Sequence, residues 1–69
     1  MINNILKLTE YGYQVEFSYI DDVYYVMLWV NLDAGGLELI YGERYTDKDN
    51  IQEKIEKILQ KWIDDYEKC

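Results

Sequence analysis

The sequence predicts an α+β fold: a short N-terminal helix, a three-stranded antiparallel meander and a long C-terminal helix packed on one sheet face, the two-layer order αβββα. Three observations predict it. Residues 13–20 alternate apolar and polar side chains, residues 23–31 form an unbroken run of β-formers, and residues 50–68 carry an apolar stripe at helical spacing. A length of 69 residues limits the chain to a single domain, 1–69.

The first helix is expected over residues 3–10, where Ile2, Ile5 and Leu6 share a face and Asn3 stands in place to cap. The first strand follows from Tyr13, Val15, Phe17 and Tyr19, which alternate with Gln14, Glu16 and Ser18. A two-residue turn at Asp21-Asp22 joins it to the second strand and sets the register. Tyr19 then faces Tyr24, Phe17 faces Val26, Val15 faces Leu28 and Tyr13 faces Val30. Each pair is apolar or aromatic, and a slip of one residue would spoil every pair.

The third strand is expected at residues 37–45, after the turn at Asp33-Ala34-Gly35-Gly36. If Leu32 pairs with Leu37, Leu39 and Tyr41 join the same apolar face as Leu28 and Val30. In the last helix, Ile51, Ile55, Ile58, Leu59, Trp62 and Tyr66 fall on one stripe with Ile63 at its edge. Asp47 or Asp49 is placed to cap it, and Glu53 with Lys57 and Asp64 with Lys68 are i,i+4 pairs. The stripe spans fewer than three heptads, which favours a core-packing helix over a coiled coil.

Composition excludes several classes. The chain has 14 acids, 7 bases and no His, a formal net charge of −7. Direct nucleic-acid binding is disfavoured, because phosphate contacts need Lys and Arg. One Cys cannot close an internal disulfide, so a small disulfide scaffold is excluded, and Cys69 is expected as a free thiol near a chain end. The longest apolar run, Val23 to Val30, is eight residues, where a membrane helix needs about 20. The N-terminus has no signal-peptide pattern, so the expected location is cytoplasmic. Without His, the commonest general base and the imidazole metal ligand are missing. Asp21-Asp22 and Asp64-Asp65 are adjacent and project apart rather than converge as a catalytic pair. Asp47-Lys48-Asp49-Asn50 lacks the glycine and the distal Glu of a calcium loop. The residues therefore call for no enzyme, cofactor or metal.

Two surface features remain. The predicted register leaves Ile20, Val23, Tyr25, Met27, Trp29 and Ile40 on the sheet face away from the long helix, among Gln14, Glu16, Ser18 and Glu38. Exposed aromatic and Met residues of this kind mark interfaces. The alternatives are cover by the N-terminal helix or burial in a homodimer. The second feature is charge placement. Residues 10–49 hold nine acids against two bases, whereas residues 50–69 hold five against four. Acids two apart on a strand lie about 6.6 Å from each other, close to the spacing of successive phosphates. Asp21, Asp22, Asp33, Glu38 and Glu16 are thus candidates to meet a basic channel, with Tyr25, Met27 and Trp29 as anchors. The simpler account is that acids keep an aromatic-rich small protein soluble.

The helix–three-strand–helix order is also that of the double-stranded-RNA-binding domain. That family needs a basic motif where this chain reads Asp47-Lys48-Asp49-Asn50-Ile51-Gln52-Glu53, which contradicts RNA binding. The chain more closely resembles the small acidic anti-CRISPR proteins of phages, notably those of this order that block the type II RNA-guided nuclease. The likeness lies in Asn3-Asn4-Ile5-Leu6-Lys7-Leu8, the tight strands and the ending Lys61-Trp62-Ile63-Asp64-Asp65-Tyr66-Glu67. It is one of pattern, and no site residue transfers by it. It implies a non-enzymatic inhibitor in the host bacterial cytoplasm that binds a nucleic-acid-handling protein, such as a CRISPR effector nuclease, by mimicking nucleic acid. A second likeness is to antitoxins of sheet-plus-helix build, in which an acidic domain neutralises a basic toxin.

Overall fold

The computed structural model describes residues 1–68, and the expected free thiol of Cys69 lies outside them. The element order is α1 (Ile2–Glu10), β1 (Tyr13–Ile20), β2 (Val23–Asn31), β3 (Leu37–Tyr45) and α2 (Ile51–Glu67). The strands form one antiparallel sheet in the order β1-β2-β3. This is the αβββα, α+β arrangement that the periodicities predict.

The first hairpin has the expected register, from Tyr13 opposite Val30 to Ile20 opposite Val23. Asp21 and Asp22 have φ of 52° and 63°. Positive φ at both central residues is what a tight turn matching the strand twist requires, and Asp tolerates it better than most residues. Gly12, at φ 93°, turns the chain from α1 into β1. Its carbonyl accepts from both the backbone N–H and the side-chain amide of Asn31, so the end of β2 is tied to that turn.

The second hairpin departs from the expected register. Tyr24 faces Tyr45 and Leu28 faces Tyr41, but Trp29 faces Leu39, Val30 faces Glu38 and Asn31 faces Leu37. A bulge at Ile40 inserts one residue between the two runs of pairs. Tyr41 keeps its expected face, stacked on Trp62 with centroids 6.1 Å apart. Leu39 moves to the opposite face, and Glu38 moves to the helix side. Both reverse the expectation.

The core is Leu8, Val26, Leu28, Ile55, Leu59, Trp62 and Ile63. Both helices therefore pack on one side of the sheet, and α1 does not cover the other. Met1 bonds Glu56 through its ammonium, while Lys7 and Tyr11 reach Glu67, so the helices run alongside each other in the same direction. This corrects two helix faces. Ile5 and Leu8 point inward, while Ile2 and Leu6 are exposed. Ile63 sits at the centre of the core rather than its edge, because Leu8 fills that side. Tyr66 is partly exposed but stacks on Tyr11 at 4.1 Å.

The expected caps differ too. Asn50 precedes α2 in the left-handed region at φ 58° and makes no side-chain cap, and Met1 rather than Asn3 precedes α1. Asp47 instead accepts from the Asp49 N–H and pairs with Lys54 at 3.6 Å. Asp64 accepts from Gln60 in place of Lys68. Among the described residues no helix is long and apolar enough to cross a membrane.

Candidate functional site

The alternation that buries Val26 and Leu28 sends Tyr25, Met27 and Trp29 to the far side of β2. Among the described residues no element lies over that side. Cross-strand neighbours complete the surface: Ser18 and Arg44 flank Tyr25, Glu16 and Gly42 flank Met27, and Gln14 and Leu39 flank Trp29. Ile20, Leu37 and Leu39 are 58%, 47% and 49% exposed. The chain exposes 4985 Å² in all, where a compact monomer of this mass would expose about 4,600 Å².

The three anchor residues are half-buried by their neighbours and hold defined positions. Trp29 Nε1 donates to Glu16 Oε1 at 2.9 Å, which orients the indole across β1. Gly42 has no side chain opposite Met27, and a notch of about 420 Å³ opens there, lined by Tyr25, Met27, Leu39, Gly42, Glu43 and Arg44. A second hollow of about 440 Å³ lies beside Trp29 and Leu37. This face carries one acid, Glu16, and one base, Arg44. It is apolar and almost neutral.

The acids are distributed differently from the expected ridge. Asp21 and Asp22 cap one end of the sheet and Asp33 the other, separated by the nine residues of β2, roughly 30 Å. Asp47 and Asp49 follow Tyr45, which pairs with Tyr24, so they join the Asp21-Asp22 end. Part of that charge is engaged. Tyr19 donates its hydroxyl to Asp22 at 2.8 Å, and Lys48 approaches the same carboxylate at 4.0 Å while lying 5.6 Å from the Tyr19 ring centroid. Contact with Tyr19 raises the Lys48 pKa. Asp47 is held below the usual carboxylate range by the Asp49 N–H and by Lys54. Of the candidate acids, Glu16 alone shares a face with the aromatic anchors, and Glu38 stands on the helix side opposite Val30.

Leu37, Leu39, Gly42 and Arg44 belong to the surface; Gly42 and Arg44 were not singled out from sequence, and the two leucines were expected on the helix side. The one available signal was the break in alternation at Leu39-Ile40-Tyr41, three apolar residues in succession where a regular strand would alternate. Among the described residues no three carboxylates or thiols converge on a metal position. Family models, curated proteins and solved structures offer no match to this chain.

Proposed function

We propose that the protein is a non-enzymatic inhibitor that grips a nucleic-acid-handling host protein, of the CRISPR effector kind, through the uncovered sheet face. The observation that carries this reading is the placement of both helices on one side, which leaves Tyr25, Met27 and Trp29 in a hydrophobic surface with two hollows. Aromatic and Met residues held in place lose little entropy on docking and dominate interface energies. The acids at the two ends supply the long-range part. A net charge of −7 draws the protein toward a basic channel and raises the association rate. The acids thus frame the grip, and the mimicry of nucleic acid is one of overall charge rather than of a phosphate-like row. Such a partner places the protein in the bacterial cytoplasm.

The test is displacement of target DNA from a guide-loaded type II effector nuclease, followed by gel shift. The wild-type chain should block DNA binding. Trp29→Glu should weaken the block at least a hundredfold with unchanged circular dichroism. Asp21→Lys with Asp22→Lys should slow association about tenfold at low salt and less at high salt. Full inhibition by Trp29→Glu rejects the face as the grip. A dimer seen by light scattering and broken by Trp29→Glu would assign the face to a second copy instead.

A further inference from the structure

The free edge of β3 is a second surface, which borders the aromatic face. β3 pairs with β2 on one side only, and every residue from Leu37 to Arg44 is exposed. Its outward N–H and C=O groups have no strand beside them. Open edges of this kind are normally blunted by Lys, Pro, other charges or a bulge; β3 has no Lys or Pro, and its charges and its bulge restrict which strand could pair with it.

The bulge at Ile40 arranges the side chains along this edge. Glu38 stands opposite Val30 and Glu43 opposite Val26. Those two valines are four apart on a regular strand, so both glutamates occupy the helix side, about 13 Å from each other. Five residues apart on an unbulged strand, they would face opposite ways. The valines across from them offer no counter-charge, and among the described residues neither glutamate is in an ion pair. On the other side the edge presents Leu37, Leu39, Gly42 and, at its end, the single base Arg44.

We propose that the β3 edge takes up an extended basic segment of another protein by strand addition, with two cationic side chains four residues apart reaching Glu38 and Glu43 and an apolar residue on the reverse side meeting Leu39. Backbone pairing supplies affinity in this mode, and alternate side chains supply selectivity. A second copy of the chain is the wrong occupant, since it would bring two more glutamates and seven further negative charges to one seam. The charged contacts lie on the helix side, so the spacing of the two cations tests the inference apart from the aromatic face, with which it shares Leu39.

The test uses labelled nine-residue peptides of Val and Thr, followed by fluorescence anisotropy. A peptide with Lys at positions 3 and 7 should bind at least tenfold tighter than one with Lys at 3 and 8, which splits the cations between faces. Glu38→Lys with Glu43→Lys should lose that binding and gain binding to the matching Glu peptide. N-methylating alternate peptide amides should abolish binding in one phase and spare it in the other, because only one set faces β3. Trp29→Glu, opposite Leu39, should leave the preference for Lys at 3 and 7 over 3 and 8 in place. No binding up to millimolar peptide, equal binding of the two Lys spacings, or equal tolerance of both N-methylation phases overturns the proposal.

Discussion

The two faces of β2 carry similar residue types and meet different fates. The helix side carries Tyr24, Val26, Leu28 and Val30 from β2, and the reverse side carries Tyr25, Met27 and Trp29. Val26 and Leu28 are 0% and 2% exposed because α1 and α2 both lie over them. On β2 the reverse side is as apolar as the helix side, and among the described residues nothing covers it. What separates them is therefore the allocation of the helices rather than the chemistry of the strand. A domain of this size gains only about 3–5 kcal/mol from its single core, so concentrating both helices on one face leaves the other available for a partner.

The sharpest way to break this comparison is to truncate one leucine on each side. Leu59 is fully buried, and Leu59→Ala should cost about 2–5 kcal/mol. That approaches the whole stability of the domain, so the variant should be largely unfolded at room temperature. Leu39, half exposed on the reverse side, should change stability by only about 0.5 kcal/mol or less when replaced by Ala. Urea midpoints compare the two directly. A large cost for Leu39→Ala would mean that the reverse face is already covered, in the free protein, by a second molecule.

A smaller and opposite effect is expected at Gly42. A Cβ built there would meet Met27 Cγ at 3.8 Å, an ordinary contact. Gly within a strand costs about 0.5–1 kcal/mol relative to Ala, so Gly42→Ala should stabilise the fold by that amount. The same methyl partly fills the notch beside Met27, so grip on the partner should weaken while the urea midpoint rises. Stability and binding moving in the same direction would show that the notch is incidental.

How far these faces were legible in the sequence depends on the strand. For β1 and β2 the alternation and the Asp21-Asp22 turn determine the pairing completely, because both local signals agree. For β3 the face assignment failed at one residue. The bulge at Ile40 gives no strong local signal, and it carried Leu39 outward and Glu38 inward. The N-terminal helix misled for a related reason. Ile2-Ile5-Leu6 and Ile5-Leu8 are both valid apolar stripes, and docking against Leu59 and Ile63 selects the second. The candidate anchors Tyr25, Met27 and Trp29 were legible because they sit on the unambiguous strand. The expectation of an acidic row overlooked a consequence of the predicted meander itself, in which successive hairpin turns lie at opposite ends.

The smallest expected effect belongs to the tether that holds the two helices together on the covered side. Tyr11 donates to the Glu67 carboxylate, and Lys7 Nζ lies 3.2 Å from it. That hydrogen bond, followed by burial, pushes the Tyr11 pKa up from 10.0 to about 12. The same bond, followed by Lys7, holds Glu67 below its ordinary 4.5. The two shifts have opposite consequences for stability against pH. The depressed Glu67 contributes stability that is complete above pH 4.5 and disappears as pH falls through its folded value. The raised Tyr11 contributes stability that is complete below pH 10.0 and disappears as pH rises toward about 12. A plateau at neutral pH with a fall at each end follows. Tyr11→Phe removes the donor, so it should lower the plateau slightly and flatten both limbs. Some alkaline slope should persist, since burial and Glu43 also raise Tyr45. Urea midpoints measured across pH in wild type and Tyr11→Phe decide it. An unchanged alkaline limb in the variant would place the Tyr11 hydroxyl outside the folding equilibrium, and the helix pairing would then rest on the apolar contacts and on the Met1–Glu56 and Lys7–Glu67 pairs.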